Sequence, residues 1–91
     1  TEIEAAELLI QKASNKINNG EPVTLESAMC KLYSSELCVR VSNDAVQIFG
    51  GYGYMQEYGV ERLMRDAKIT QIYEGTSEIQ ELVIARTILE E

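Results

Sequence analysis

The stretch that decides the fold is residues 24–49, TLESAMCKLYSSELCVRVSNDAVQIF. It contains neither glycine nor proline, and Gly50-Gly51 follows it, so we predict one long helix that ends at Phe49. Thr24 is predicted to cap its N-terminus. Apolar residues lie on more than one face, so we expect this helix to be packed from several sides, by partner chains or further domains as well as by its neighbours. These residues are Leu25, Met29, Leu32, Tyr33, Leu37, Val39, Val41, Val46 and Ile48.

Three shorter helices are predicted beside the long one. Residues 1–18 repeat isoleucine and alanine at steps of three or four, and Gly20 stands where that helix should stop. A third helix is predicted over residues 60–68 and a fourth over residues 77–90. The fold class is therefore all-α, a four-helix bundle-like domain, and residues 1–91 are predicted to form a single domain. The residues expected to face inward on the third helix are Val60, Leu63, Met64 and Ala67.

Composition and charge exclude several classes of function. Eight lysines and arginines stand against 15 aspartates and glutamates, so the formal charge is −7, and there is no histidine. Nucleic-acid binding is disfavoured because it needs clustered cations. The lack of histidine excludes Ser-His and Cys-His nucleophiles and the common zinc sites, and we predict no metal site. No apolar run approaches the roughly 20 residues that span a bilayer.

The charged and sulfur-containing side chains favour structural roles. Arg62, Arg65 and Lys68 alternate with acidic residues, so we expect an ion-paired helix face. Cys30 and Cys38 lie on one predicted helix, about 12 Å apart, which is too far for a disulfide. We expect both to be small core residues in a reducing compartment.

Residues 69–80, ITQIYEGTSEIQ, contain the candidate catalytic group. Glu74 precedes Gly75 on a turn that leads into the fourth helix. Ser77 is predicted to be the N-cap of that helix, and Gln80, three residues later, would complete a capping box.

Glu74 has two possible roles. If it is exposed, it is a solvated loop charge. If it is enclosed against Ile72 and Tyr73, burial would raise its pKa and let it act as a general base near neutral pH. The residue pattern alone does not decide between these alternatives.

A second glycine-containing segment, Gly50-Gly51-Tyr52-Gly53-Tyr54, follows the long helix. Glycine permits either a tight interhelical turn or close approach of the backbone to a ligand. The segment is not a GxGxxG fingerprint and follows no strand, so a dinucleotide-binding fold is not indicated.

Three blocks of sequence, in order, resemble the C-terminal end of the acyl-CoA dehydrogenases. The blocks are VQIFGGYGY at 46–54, VERLMRDAKI at 60–69 and IYEGTSEIQ at 72–80. The resemblance is strong over residues 22–91 and loose over the first helix. It implies that the chain is the last quarter or so of a longer FAD-dependent enzyme, which oxidises acyl-CoA thioesters to trans-2-enoyl-CoA.

The resemblance also implies roles for individual residues. Glu74 matches the catalytic base, and its backbone N–H matches a donor to the thioester carbonyl. Gly75 matches a position against which the acyl thioester lies. FAD is the implied cofactor, and the residues that match its binding positions are Thr76, Ser77 and Glu78, together with Gln47, Ile48, Phe49, Gly50 and Gly51, which would reach the FAD of a neighbouring subunit.

The same resemblance implies partners and a compartment. A homotetramer, an acyl-CoA substrate and electron-transfer flavoprotein as electron acceptor are expected, in a bacterial cytoplasm or alternatively in a mitochondrial matrix. A glutamate at position 74 favours a short-chain, medium-chain or general straight-chain enzyme. Two alternatives stay open: a flavin acyl-CoA oxidase with the same base, and a helical oligomerisation module without chemistry.

Overall fold

The computed structural model describes residues 1–90 and places four α-helices in that range. Two short 3₁₀ segments, Gly50–Tyr54 and Gln56–Tyr58, connect α2 to α3. No strand occurs in residues 1–90, so the all-α prediction is confirmed. The four helices are α1 (Glu2–Asn18), α2 (Thr24–Phe49), α3 (Val60–Ile69) and α4 (Ser77–Leu89).

The long helix α2 is the centre of the arrangement. Within the described residues, α1, α3 and α4 each pack against α2, and none of the three packs against another. Apolar side chains around α2 explain this, because each shorter helix can cover a different face of it. The domain is therefore bundle-like, with one shared central helix.

Little of the apolar surface is enclosed by these residues. The buried apolar residues are mostly alanines, and no large side chain in the described range is fully buried. The radius of gyration is 15.6 Å, against about 12 Å for a compact domain of this length. Many isoleucine, leucine and tyrosine side chains consequently lie at the surface, and the expectation that further polypeptide covers α2 stays a prediction.

One of the predicted inward positions on α3 is exposed. Leu63 on α3 is 63% exposed, although Ala67 is buried and Val60 and Met64 are half-buried. Leu63 instead lines an open apolar groove between α1 and α3, with a volume of about 680 Å³. This difference arises because α3 packs against α2 on one side and leaves its other side open.

The cysteine prediction holds only in part. Both thiols are free, as expected from their spacing. Cys30 is half-buried, and this burial raises the pKa of its thiol. Cys38 is exposed, so the prediction that it is a core residue is wrong. Cys38 lies on the side of α2 that faces the open groove beside Leu63.

Charged side chains connect the helices and stabilise their faces. The Lys16 ammonium lies 2.6 Å from a Glu26 carboxylate oxygen and joins α1 to α2, and an Arg40–Glu2 pair makes a second connection. The ion-paired face of α3 is confirmed for Arg62 and Arg65, whereas Lys68 donates to the Gln71 side chain at 2.9 Å. The pairs are Arg65 with Glu61 at 2.7 Å and Arg62 with Asp66 at 3.8 Å.

The start of α2 differs from the prediction. The N-cap of α2 is Val23, and Thr24, the first helical residue, makes no side-chain cap bond, so the prediction for Thr24 is wrong. Thr24 lies one position after the N-cap. Only a side chain at the N-cap position can reach the first free N–H groups of the helix.

None of the helices in residues 1–90 is both long and apolar enough to cross a bilayer.

Candidate active site

The turn that carries Glu74, here called the Glu74 turn (residues 73–76), reverses the chain between α3 and α4. Tyr73 closes the preceding helical turn by donating its N–H to the Ile69 carbonyl at 3.0 Å. Glu74 and Gly75 then have φ values of 52° and 96°. Glu74 is the one residue other than glycine with positive φ in the described range. A left-handed conformation costs such a residue about 1–2 kcal/mol, so the surrounding structure must hold it in place.

Three side-chain hydrogen bonds reach the backbone of this turn. The Lys31 ammonium on α2 donates to the Gly75 carbonyl oxygen at 2.6 Å. The Gln80 side-chain amide donates to the carbonyl oxygens of Glu74 and Gly75, at 3.4 Å in each case. The backbone of the turn is thus fixed from α2 on one side and from α4 on the other.

Gly75 is required by its conformation and by its surroundings. Its φ of 96° is unfavourable for any residue with a Cβ. A Cβ built there would lie 2.6 Å from the Gln80 amide nitrogen. Gln80 can move because it is a flexible side chain, so the backbone conformation is the stronger requirement.

The cap of α4 lies one residue earlier than predicted. The Thr76 hydroxyl accepts the Ile79 N–H at 3.2 Å, and Ser77 is the first helical residue. The capping box of Ser77 and Gln80 is therefore wrong. The tight Glu74 turn brings the chain to the helix axis at Thr76, whose extended backbone (φ −61°, ψ 165°) suits a cap.

Ser77 occupies an unusual environment. The residue is 8% exposed, and its hydroxyl oxygen is buried without a hydrogen-bond partner among the described residues. A buried hydroxyl without a partner is uncommon, because its desolvation is not compensated.

The residues at the start of α4 border a polar hollow of about 350 Å³. The three residues expected to contact flavin in this region, Thr76, Ser77 and Glu78, all line it. The structure thus brings this predicted group together at one helix N-terminus, where partial positive charge favours polar and anionic groups. The other lining residues are Glu36, Lys68, Gln71 and Ile72.

The Glu74 side chain is exposed in this chain. The neighbours expected to enclose it, Ile72 and Tyr73, are themselves 49% and 52% exposed. Within residues 1–90, the side chains of Ile72 and Tyr73 therefore do not form the closed pocket that a general base requires.

The second predicted flavin segment lies elsewhere. Gln47, Ile48, Phe49, Gly50 and Gly51 are all exposed at the C-terminal end of α2 and the start of the 3₁₀ segment. The rise per residue of an α-helix puts Gln47 about 24 Å along α2 from Lys31, which contacts the Glu74 turn. The structure does not bring these two groups of predicted residues together.

The sequence pattern predicts no role for Lys31, although this residue contacts the candidate site. Its one sequence signal is a single cation in the otherwise uncharged run from Ser27 to Ser35. Only the fold shows that this cation reaches a turn 44 residues away.

Comparison with known families matches residues 1–89 to the C-terminal domain of acyl-CoA dehydrogenases. The chain belongs to the acyl-CoA dehydrogenase family. This match confirms the resemblance found in the three sequence blocks. The four helices described above are the structure of this domain in the present chain.

Relatives of this acyl-CoA dehydrogenase domain agree in sequence and in structure. A butyryl-CoA dehydrogenase structure from Megasphaera elsdenii is 53% identical, with a TM-score of 0.93 over 97% of this chain and 23% of its own. A structure described as an electron transferring flavoprotein of Acidaminococcus fermentans gives 48% identity and a TM-score of 0.96, over 100% of this chain and 24% of its own. An acryloyl-CoA reductase (NADH) from Anaerotignum propionicum is 55% identical over 98% of this chain and 23% of its own. The chain thus spans about a quarter of the length of these relatives.

Proposed function

We propose that residues 1–91 are the C-terminal part of an FAD-dependent acyl-CoA dehydrogenase that converts acyl-CoA thioesters to trans-2-enoyl-CoA, with Glu74 as the base. The observation that carries this proposal is the Glu74 turn. In a chain of this family, the matching glutamate is the one described residue other than glycine that is held at positive φ, and the turn that contains it is fixed from two helices. Strain of this kind persists where the surroundings impose it, and it is common at functional sites.

The chemistry assigns two tasks to this turn. The α-proton of a thioester is weakly acidic, so a carboxylate must be placed next to it and the thioester carbonyl must be polarised. Glu74 removes the proton through its carboxylate, while its backbone N–H donates to the thioester oxygen. Gly75 leaves room for the acyl thioester beside the main chain. A bound FAD would supply the acceptor for the hydride that leaves the β-carbon.

The start of α4 suits one part of the flavin. Thr76, Ser77 and Glu78 line one polar hollow, and the Ser77 hydroxyl has no partner in the described residues. These features are compatible with a polar group of FAD held at that helix N-terminus. The exposed group from Gln47 to Gly51 lies along α2 from there, which supports contact with the FAD of a neighbouring subunit in a homotetramer.

Residues 1–91 alone should be inactive. Glu74 is exposed here, whereas a base for a weak carbon acid works in a site from which water is excluded. Further polypeptide must therefore enclose substrate and flavin. The complete enzyme is proposed to act in a bacterial cytoplasm and to pass electrons to electron-transfer flavoprotein. The Megasphaera and Acidaminococcus structures support a bacterial enzyme of this kind.

The test uses the complete enzyme, titrated without oxygen with saturated acyl-CoAs of increasing chain length while flavin absorbance is followed. The wild type should bleach, and Glu74→Gln should slow bleaching by about 10²–10⁴-fold, the usual contribution of a general base. Glu81→Gln, which removes an exposed charge in the second turn of α4, is the matched control and should behave as wild type.

Two results would contradict the proposal. If no thioester bleaches the flavin of the wild type, the dehydrogenase function is wrong, and a helical oligomerisation module is the alternative. If Glu74→Gln bleaches as fast as the wild type, Glu74 is not the base. Rapid peroxide formation in air would instead identify an acyl-CoA oxidase.

A reductive role is the second candidate, favoured by the 55% identity to an acryloyl-CoA reductase. In that direction a protonated Glu74 would return its proton to the α-carbon of an enoyl-CoA. The distinguishing measurement is the turnover of enoyl-CoA with NADH and electron-transfer flavoprotein, compared with turnover of the saturated thioester. Faster reduction than oxidation under matched conditions would favour the reductase.

A further inference from the structure

The contact between Lys31 and Gly75 is the tertiary side-chain hydrogen bond to the Glu74 turn. The ammonium nitrogen lies 2.6 Å from the Gly75 carbonyl oxygen, and the bond is partly buried. A charged donor makes a shorter and stronger hydrogen bond than a neutral one. The two Gln80 contacts are neutral and longer, at 3.4 Å.

The position of this bond allows it to influence the conformation of Glu74. Within the described residues, the other hydrogen bonds to the backbone of the turn come from residues 69–80, its own neighbours along the chain. Lys31 belongs to α2, the helix against which all the others pack. The Lys31 contact therefore ties the turn, at the residue next to Glu74, to the central helix of the fold.

We propose that Lys31 is a positioning residue for the Glu74 base. By holding the Gly75 carbonyl against α2, its ammonium keeps Glu74 in the left-handed conformation and fixes where the carboxylate and the Glu74 N–H point. Lys31 bonds to the main chain and acts through Glu74, so it is not itself a catalytic residue. This inference rests on the proposed dehydrogenase function.

The experiment compares Lys31→Met with Lys12→Met in the complete enzyme. Both substitutions replace a lysine by a chain of similar length without charge, but Lys12 is exposed on α1, away from the turn. Displacing a reacting group by about 1 Å costs on the order of 100-fold in rate, so Lys31→Met should slow anaerobic flavin bleaching by about 10- to 100-fold. FAD content and the affinity for an unreactive thioester should stay at the wild-type level.

Two further readouts separate positioning from general destabilisation. Slower proton removal should enlarge the rate difference between protiated and α-deuterated acyl-CoA in Lys31→Met. Lys31→Arg, which keeps a charged donor, should recover most of the rate. If Lys31→Met does not fold with FAD, Lys31→Gln is measured in its place, and the same slow, isotope-sensitive bleaching is expected.

The outcomes distinguish this inference from the proposed function. Bleaching in Lys31→Met or its substitute at the rate of Lys12→Met would overturn the role of Lys31 alone. A rate loss that follows FAD loss, with no change in isotope effect, would also overturn it, because the effect would then be structural. A wild type that never bleaches would overturn the proposed function and the role of Lys31 together.

Discussion

The Glu74 turn and the glycine-aromatic turn (residues 50–54) are both glycine-containing connections, but they are held in different ways. The Glu74 turn is tied by Lys31 to a helix distant in sequence. The glycine-aromatic turn is held by local packing, since a Cβ on Gly53 would lie 2.5 Å from the Val46 carbonyl oxygen. Tyr52 and Tyr54 lie in this second turn and Tyr58 follows it, and the rings of Tyr52 and Tyr58 pack edge to face with their centroids 5.4 Å apart.

This difference separates a turn whose conformation serves a side chain from one whose conformation serves packing. In the Glu74 turn, a residue with a Cβ adopts positive φ and points its carboxylate outward. In the glycine-aromatic turn, the glycine under the closest contact, Gly53, is buried. We therefore expect substitutions in the first turn to change the reaction most, and substitutions in the second to change stability most.

Among substitutions of glycine in the two turns, the largest effect is expected for Gly75→Ala in the complete enzyme. The new Cβ is unfavourable at a φ of 96° and meets Gln80, so the turn should shift and move Glu74. We expect a loss in the rate of flavin bleaching on the order of 100-fold. Gly20→Ala is the control, because Gly20 has a φ of 72°, no atom within 4 Å of its added Cβ, and a position in the connection between α1 and α2. Equal rates for the two variants would show that the conformation of Gly75 does not position Glu74.

Gly53→Ala should destabilise the fold by about 1–3 kcal/mol, the usual cost of overpacking. The close atoms are the Val46 backbone and the Phe49 Cβ, and neither can move without moving α2. Gly51→Ala is the matched control, since nothing lies within 4 Å of its added Cβ. Denaturant unfolding measures both variants. Identical midpoints would show that the glycine-aromatic turn is looser than its close contact indicates.

Thr76→Ala should cost about 1 kcal/mol in unfolding free energy, because the cap of α4 is lost. Ser77→Ala should leave the stability of the flavin-free protein unchanged or raised, since it removes a buried hydroxyl without a partner. The same Ser77 substitution should weaken FAD binding if that hydroxyl holds the flavin. The two variants would exchange their effects on stability if Ser77 were the cap.

The smallest effect concerns the ion pair beside the N-terminal half of α2. The hydrogen bond from Lys16 lowers the pKa of Glu26, whose residue is 7% exposed. The folded state therefore holds its proton less tightly than the unfolded state. The stabilisation from this carboxylate is fully present above the ordinary glutamate pKa and is lost as the pH falls through the lowered value. Thermal unfolding of Glu26→Gln should consequently lose part of the acid dependence seen in the wild type, and an unchanged acid limb would exclude this contribution.

Much of the fold follows from local sequence. Helix boundaries are well predicted because glycines stop α1 and α2 and because the apolar repeats are long. The cap predictions for Thr24 and Ser77 were each one residue off, since a cap depends on the backbone angle at which the chain enters the helix. The inward direction of Leu63 was wrong because its exposure depends on which helices cover α3.

The candidate site divides in the same way. The position of Glu74 between Tyr73 and Gly75 at the start of α4 is readable from the sequence and from family resemblance. Three features are visible only in three dimensions. They are the left-handed conformation of Glu74, the Ser77 hydroxyl without a partner in the described residues, and the separation between the two groups of residues expected to contact flavin, 76–78 and 47–51.

The sequence by itself determined that the chain is helical, that α2 is its longest element, and that one glutamate stands beside a glycine before the last helix. These are properties of neighbours along the chain, where propensity and steric limits act within a few residues. Tertiary structure alone decided that Lys31 meets Gly75 across 44 residues and that Glu74 is exposed. Such contacts depend on how α2 lies against the turn before α4, and no local pattern encodes that distance.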